Sequence, residues 1–250
     1  MRIVFTGGGT GGHFYPIIAV AQAIRKIIKE NKLIEPQMYF LAPTPYNASA
    51  LYDEGITFKK VSAGKLRLDD TTKNIFDIFP TTIGMIKALW TMFWIYPDVV
   101  FSKGGFGSVP VVFAARILGI PVIIHESDSS PGRANAWASK FAEKIAISYP
   151  EAAQYFDKEK VAWTGNPIRQ EIKMKAAEGG HDFLNLSPQF KTILVLGGSQ
   201  GAQRINHAIL DVLPKLLEKY QIIHQTGAKN FDEVQTMAGV SVTEPKMLDK

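Results

Sequence analysis

Short apolar runs alternate with longer amphipathic stretches over the first two thirds of the chain. Residues 2–6 form the first run, and apolar residues then recur at the spacing of one buried helix face, at Ile17, Val20, Ile24 and Ile27. Further runs predict strands at residues 37–42, 56–61, 98–102, 121–125, 144–148 and 160–164. Between them the pattern predicts helices at residues 72–96, 109–118 and 133–141. Such alternation is typical of a doubly wound, mostly parallel α/β sheet.

The pattern starts again after a polar stretch at residues 170–189, which contains glycine and proline. Beyond it we predict a strand at 192–196, a helix at 202–218, a strand at 221–225, a helix at 230–238 and a strand at 240–243. We therefore divide the chain into a Rossmann-like domain at residues 1–165, a linker at 166–190 and a second Rossmann-like domain at 191–250. Because a complete Rossmann domain has two βαβαβ halves, we expect the second domain to be incomplete and the chain truncated.

Each predicted domain opens with a strand that leads into a glycine-rich turn and then a helix. The first turn is Gly7-Gly8-Gly9-Thr10-Gly11-Gly12-His13, and the second is Gly197-Gly198-Ser199-Gln200-Gly201. Glycine allows positive φ and close approach of the backbone to a ligand, and the helix N-terminus favours an anion. The two turns predict phosphate-sized nests and a nucleotide-diphosphate ligand held between the domains.

Other interpretations of the first turn remain open. Gly7, Gly9 and Gly12 satisfy G-x-G-x-x-G, but the second predicted strand ends in Leu41-Ala42-Pro43 without the acidic residue that a dinucleotide site requires. This argues against a nicotinamide dehydrogenase. A second interpretation is that the glycines serve only a tight turn. Three roles are open for His13: a general base, a diphosphate hydrogen-bond donor or a structural residue at the helix start.

A second group of candidates is His125-Glu126-Ser127-Asp128, at the end of another predicted strand. Open α/β sheets bind ligands at the carboxyl ends of their strands. Taken singly, Glu126 and Asp128 are typical of structural hydrogen-bonding residues. No spacing of His, Asp and Glu predicts a metal site, and the Asp69-Asp70 pair is typical of a solvated loop.

Composition narrows the class of protein only modestly. The 250 residues are 46% hydrophobic and 20% charged, which is typical of a globular protein, and none is cysteine. The net charge of +5 favours an acidic partner, such as phosphate groups or an anionic membrane, and we expect no nucleic-acid partner. Met1 leads directly into a strand, so we expect no signal peptide. The aromatic helix at 72–96 has two interpretations, a core helix or a membrane anchor.

Five segments in this order resemble one family of enzymes: 8–13, 104–106, 125–128, 165–169 and 197–202. They are similar to the peptidoglycan N-acetylglucosaminyltransferases that convert lipid I to lipid II at the bacterial cell membrane. The resemblance implies a GT-B fold and inverting transfer of N-acetylglucosamine from UDP-N-acetylglucosamine to the muramoyl 4-hydroxyl of undecaprenyl-linked lipid I. It also implies an enzyme without a cofactor, bound peripherally at the cytoplasmic face to an anionic membrane surface.

The resemblance assigns site residues by position in these segments. It implies that Arg169 and Ser199, with Gln200 and Gly201, hold the donor diphosphate. The other implied substrate-binding residues are Thr10, Gly11, Gly12, Gly104, Gly105, Phe106 and Asp128. Asp128 stands where the family more commonly has asparagine, and Phe106 where tyrosine is commoner. For the general base, His13 is the first candidate and His125 the second.

Two alternatives to this function remain open. The chain is compatible with another GT-B transferase that acts on a lipid or isoprenoid acceptor. It is also compatible with a non-catalytic nucleotide-binding module. Since half of the second sheet is expected to be missing, we expect the 250 residues alone to be inactive as a transferase.

Overall fold

The computed structural model describes residues 1–64, 71–174, 179–198 and 201–243, with side chains outside 71–80 and 241–243. The chain divides into two compact units, Met1–Met174 and Lys175–Lys250. The division between them falls inside the predicted linker. The domain bounds at 1–165, 166–190 and 191–250 stay predictions.

A parallel seven-stranded sheet organises the first unit. Its strands lie in the order β3-β2-β1-β4-β5-β6-β7. Their bounds are Arg2–Thr6 (β1), Gln37–Ala42 (β2), Ile56–Lys60 (β3), Val99–Ser102 (β4), Val122–Glu126 (β5), Lys144–Ile147 (β6) and Val161–Trp163 (β7). Because the chain order reverses between β1 and β4, their carboxyl ends flank the switch point where such sheets bind ligands. The doubly wound sheet predicted from the alternating pattern is confirmed.

Helices cover both faces of this sheet. They are Gly11–Asn31 (α1), Ala48–Asp53 (α2), Thr71–Ile95 (α3), Val109–Leu118 (α4), Arg133–Ala138 (α5) and Gln170–Lys173 (α6), with 3₁₀ turns at Phe106–Ser108 and Pro150–Tyr155. Along β1, Ile3 and Phe5 join the hydrophobic cluster under α1, while Val4 joins the cluster under α3 and α4. Successive strand residues point to opposite faces, so each face of the sheet has its own core.

Two details of the predicted helices are wrong in the first unit. On α1, Ile27 is exposed and its neighbour Ile28 is buried, since the buried face rotates slightly along the helix. The helix predicted at 133–141 ends at Ala138.

The buried face of α3 consists of small and flexible residues instead of aromatic ones. Ala88 and Met92 are fully buried, and a Cβ placed on Gly84 would lie 1.7 Å from the Ser62 carbonyl oxygen. The helix therefore packs closely through this face. The core interpretation is wrong for the aromatic face, because Ile83, Ile86, Trp90, Phe93 and Trp94 are all more than half exposed. The side chains of Phe76 and Phe79 lie outside the described residues. No described helix is long and apolar enough to cross a membrane.

The second unit contains two parallel strands among its described residues. Its elements are Gly180–Phe183 (α7), Lys191–Leu196 (β8), Gln203–Leu217 (α8), Tyr220–Gln225 (β9) and Phe231–Thr243 (α9). The strand predicted at 240–243 is wrong, because these residues continue α9. Val234 and Ala238, one turn apart, pack with Leu210 and Leu213 of α8, and this packing outweighs the weak strand preference of valine and threonine.

Candidate functional site

Two glycine-rich turns meet at the switch point of the large sheet. The turn after β1 donates a hydrogen bond from Gly8 N to the Gly104 carbonyl of the turn after β4, at 2.8 Å. Gly104 and Gly105 have φ of 82° and 77°, and a Cβ on Gly105 would lie 2.8 Å from the Cα of Gly8. Only glycine permits this approach at both positions. The two turns therefore form one rigid loop pair.

His13 lies half-buried beside this loop pair, in the first turn of α1. Its Nδ1 is 2.7 Å from Thr10 Oγ1, and its Nε2 is 3.0 Å from the position of a Cβ on Gly105. Burial lowers the pKa of His13, Lys103 lowers it further, and Glu126 and Asp128 act in the opposite direction. When Nδ1 donates to Thr10, the Nε2 lone pair is free to accept a proton. This arrangement suits a general base.

A polar pocket of about 200 Å³ adjoins His13. It is lined by the ends of β4 and β5 and by the starts of α1 and α5, including Gly12, Lys103, Gly105, Glu126, Asp128 and Asn135. The pocket thus brings together candidates from three of the sequence segments. Asp128 is exposed at its rim, so the anionic side chain that replaces the commoner asparagine remains in water.

Glu126 organises the loop after β5. It is 4% exposed, and its Oε1 accepts hydrogen bonds from the backbone N–H groups of Ser127 and Asp128. Its Oε2 accepts from Gly132 N and Asn135 Nδ2, at the start of α5. Because both oxygens are occupied by protein donors, this carboxylate holds the loop in shape.

Lys103 is a site residue that the sequence reasoning missed. It is 4% exposed, and its ammonium donates a hydrogen bond to Ser127 Oγ. Burial lowers its pKa, while Glu126 and Asp128 raise it. A cation close to two carboxylates compensates their charge, so the pocket is not simply anionic. The available signal was its position between β4 and the glycine pair at 104–105.

His125 has a different environment from His13. It is 1% exposed on β5, and its Nε2 lies 3.1 Å from the Gly165 carbonyl oxygen. Burial lowers its pKa, and the contact with Gly165 partly opposes that change. This geometry ties β5 to the segment before Arg169. Both base assignments stay predictions, and the geometry favours His13.

A larger pocket of about 670 Å³ shares His13, Gly105 and Gly132 with the polar pocket. It is also bordered by His13 and is mainly apolar, with Met85 from α3, Phe106 and Phe113 around α4, and Trp137 from α5. Its walls thus combine an aromatic surface with the candidate base. Phe106 is the substrate-binding candidate that lies here.

The remaining candidates lie at the edges of this site or in the second unit. A Cβ on Gly11, at the start of α1, would lie 2.8 Å from the Tyr46 hydroxyl and 3.5 Å from the Tyr15 ring. The Arg169 guanidinium lies 4.0 Å from the centre of the Tyr15 ring. In the second unit, Gly201 has φ of 73° and faces the Thr226 carbonyl. Ser199 and Gln200 lie outside the described residues. Within the described ranges, no group of His, Asp and Glu residues has the arrangement of a metal site.

A side chain from β9 fixes the described part of the second glycine turn. Gln225 Oε1 accepts a hydrogen bond from Gly197 N at 3.1 Å, and its Nε2 donates to the Gly198 carbonyl at 2.7 Å. This amide brackets the first two residues of the turn. It is a second feature that sequence reasoning missed, and the Tyr220–Gln225 strand pattern gave no sign of it.

A doubly wound sheet with glycine turns at its switch point, followed by a second strand–glycine–helix unit, defines the GT-B class of glycosyltransferase fold. The chain belongs to glycosyltransferase family 28. Residues 3–147 match the family's N-terminal domain, and residues 192–247 match its C-terminal domain.

Curated relatives share this similarity along most of the chain. A UDP-N-acetylglucosamine--N-acetylmuramyl-(pentapeptide) pyrophosphoryl-undecaprenol N-acetylglucosamine transferase 2 of Bacillus cereus is 41% identical over 232 residues, covering 93% of this chain and 64% of that protein. A transferase of the same name, without the number, from Treponema pallidum is 38% identical over 238 residues, or 94% of this chain and 61% of that protein. The chain thus spans less than two thirds of these relatives.

Solved structures agree on the fold. The crystal structure of Acinetobacter baumannii MurG matches with a TM-score of 0.66 and 25% identity, covering 96% of this chain and 65% of that one. A UDP-GlcNAc 2-epimerase from Neisseria meningitidis, bound to UDP-GlcNAc, matches with a TM-score of 0.63 at 16% identity, covering 96% and 69%. At that identity the second match concerns the fold alone.

Proposed function

We propose that this chain is part of the transferase that moves N-acetylglucosamine from UDP-N-acetylglucosamine to the muramoyl 4-hydroxyl of lipid I, giving lipid II. The observation that carries the proposal is His13, a half-buried imidazole with a lowered pKa beside two pockets and a rigid pair of glycine turns. The names of the relatives that are 41% and 38% identical support the same reaction.

In this reaction the acceptor hydroxyl attacks the anomeric carbon of the donor with inversion, and UDP departs. His13 Nε2 accepts the hydroxyl proton, because its lowered pKa keeps the imidazole neutral near pH 7. Negative charge grows on the departing diphosphate, and Arg169 supplies a guanidinium to stabilise it. By the family resemblance, Ser199, Gln200 and Gly201 are also donor-binding residues.

The larger pocket is proposed to receive the acceptor. A muramoyl sugar has apolar ring faces that suit aromatic walls, and Phe106, Phe113 and Trp137 provide such walls next to His13. An acceptor hydroxyl placed there has the candidate base within the same pocket. The polar 200 Å³ pocket, which shares His13 and Gly105 with the larger one, is then available to the donor sugar.

We also propose that the protein docks peripherally on the cytoplasmic face of the cell membrane. The aromatic patch, defined as Ile83, Ile86, Trp90, Phe93 and Trp94, is exposed on α3, and Lys87 is exposed beside it. Interfacial aromatic residues with nearby cations bind anionic lipid without spanning it. Lys65 and Arg67 lie outside the described residues, as does the side chain of Lys73. Docking brings the site to an acceptor whose lipid tail stays in the bilayer.

Transfer of labelled N-acetylglucosamine to a lipid I analogue tests the reaction. The protein tested is a fusion in which the C-terminal remainder of the Bacillus cereus relative follows this chain. We expect turnover by the fusion, at least a hundredfold loss with His13→Gln, and no loss with His207→Gln on the exposed face of α8. UDP binding without transfer favours the nucleotide-binding module, and transfer only to other lipid acceptors favours a different GT-B enzyme.

Vesicle co-sedimentation tests the docking. Binding should rise with anionic lipid, fall with salt, and drop when Lys65, Arg67, Lys73 and Lys87 become glutamine. Trp90→Ser with Trp94→Ser should weaken it as well, whereas Ile34→Ser, at an even more exposed site distant in sequence, should not. Binding that is indifferent to salt and to all these substitutions contradicts electrostatic docking.

A further inference from the structure

The last segment of the first unit folds back onto the outer face of α1. Gln22 Oε1 accepts a hydrogen bond from Gln170 N at 3.0 Å, and Gln22 Nε2 donates to Glu171 Oε1 at 2.8 Å. Gln22 is two helical turns from Tyr15, so both residues lie on one side of α1. The backbone on the C-terminal side of Arg169 is thus fixed to the helix that begins at the first glycine turn.

Aromatic neighbours hold the Tyr15 ring in place. The ring centroid is 5.4 Å from that of Phe14 and 5.8 Å from that of Tyr46, both with edge-to-face geometry. A Cβ on Gly11 would lie 3.5 Å from the ring, so the ring also rests against the start of α1. Phe14 itself is buried in the core. Tyr15 therefore presents an ordered aromatic surface beside the first glycine turn.

The Arg169 guanidinium uses this surface. Its Cζ lies 4.0 Å from the centre of the Tyr15 ring. Stacking occupies a face of the guanidinium, while its five N–H donors point outward in its plane. A cation held in this way keeps its hydrogen-bonding edge for a ligand and loses less side-chain freedom when the ligand binds.

We propose that Tyr15 is a positioning residue that stacks on Arg169 and presents its guanidinium edge to the donor diphosphate, while Gln22 fixes the backbone beside it. The inference rests on the proposed function, which assigns the diphosphate to Arg169. It adds to that function a residue that contacts no substrate itself. The phenol hydroxyl has no part in it, so phenylalanine should serve equally well at position 15.

Nuclear magnetic resonance of the 250-residue protein tests the stacking without a ligand. The Arg169 Hδ signals should be shifted upfield by the ring current of Tyr15. The shift should persist in Tyr15→Phe and disappear in Tyr15→Leu. Arg169 signals at ordinary positions in the unsubstituted protein would overturn the proposal, even if the leucine variant does not fold.

Equilibrium binding of UDP tests the consequence for the ligand. We expect Arg169→Ala to weaken binding at least tenfold, Tyr15→Leu about three- to fivefold, and Tyr15→Phe by less than twofold. Arg169→Lys should also weaken binding, although it keeps the charge, because lysine lacks the planar fork. Gln22→Ala should have a smaller effect than Tyr15→Leu.

The outcomes separate this inference from the function on which it rests. If Arg169→Ala weakens binding and Tyr15→Leu does not, Tyr15 has no positioning role and the proposed function stands. If Arg169→Ala leaves binding unchanged, the diphosphate is not held by Arg169. The positioning role of Tyr15 is then wrong, and the transfer assay alone decides the proposed reaction. The double variant Tyr15→Leu with Arg169→Ala is compared with Arg169→Ala alone. If the double variant binds UDP more weakly, the effect of Tyr15 does not pass through Arg169 and the positioning role is wrong.

Discussion

The two glycine-rich turns have a similar sequence plan but are held in place by different means. The first is fixed by another glycine turn, with Gly8 against Gly105, inside a seven-stranded sheet with a core on each face. The second is fixed by one amide side chain, Gln225, and it follows a strand on which Leu194 and Leu196 are more than half exposed. A glycine-rich pattern thus indicates a turn, but remote residues determine how rigid that turn is.

The largest expected effect tests the contact between the two turns of the first unit. Gly105→Ala introduces a Cβ 2.8 Å from Gly8 Cα at a φ of 77°, so we expect the free energy of unfolding to fall by about 3 kcal/mol or more. Gly119→Ala is the matched control, because its φ is 68° but no atom lies within 4 Å of the added Cβ. It should cost about 1 kcal/mol. If urea denaturation gives equal losses for the two variants, the loss in Gly105→Ala comes from backbone strain and not from the contact between the loops.

A smaller effect is expected at the amide that fixes the second turn. Gln225→Leu removes both hydrogen bonds to Gly197 and Gly198, and we expect a loss of about 1–2 kcal/mol in the stability of the second unit. Gln225→Glu keeps the acceptor for Gly197 N and should lose less. Hydrogen exchange of amides in β8 and β9 measures the loss. The exposed Gln235 is the control. If Gln235→Leu loses as much stability as Gln225→Leu, the two hydrogen bonds of the Gln225 amide contribute nothing.

The smallest expected effect concerns the pH dependence of stability. Only the first turn ends in a histidine, His13, so the two turns should differ in this property. The pKa of His13 is lowered by burial and by Lys103, so the folded protein binds its proton less readily than the unfolded chain. This contribution to stability is therefore complete above the unfolded pKa of about 6.5 and is lost as the pH falls below it.

The corresponding change is His13→Gln, measured by urea denaturation between pH 5 and 7.5. The free energy of unfolding should fall less between pH 7.5 and pH 5 in this variant than in the original protein. The difference between the two decreases should be less than about 1 kcal/mol. The control is His181→Gln, at an exposed position in α7, which should leave the profile as it is. A profile for His13→Gln as steep as the original would contradict the burial argument.

The sequence predicts the first sheet well because its inner strands, such as β1 and β5, are largely buried on both faces and appear as short apolar runs. It predicts the face of α3 poorly, since apolar residues surround that helix and periodicity cannot choose between them. The choice depends on Gly84 and its approach to Ser62, which is a tertiary contact. The false strand at 240–243 has a similar cause, because β-branched residues there continue a helix that packs on α8.

The same distinction, between local sequence signals and tertiary contacts, applies to the residues of the candidate site. Glycine turns and strand ends are local signals, so His13, Gly105 and Asp128 were predictable and lie around the same pocket. Lys103 and Gln225 were missed because a lysine or glutamine at a strand end is ordinarily solvated. Their roles depend on Ser127 and on Gly197 and Gly198, which lie more than twenty residues away.

The place of β1 in the sheet has a consequence for biosynthesis. Among the strands of this sheet β1 is synthesised first, yet one of its neighbours is β4, and Arg2 is hydrogen-bonded to Asp98, 96 residues further along. One edge of β1 therefore stays unpaired until β4 emerges, and closing so long a loop makes the pairing slow. The paired glycine turns form later still, after Gly105 has been synthesised. A nascent chain arrested before that point should expose β1 to chaperones and proteases.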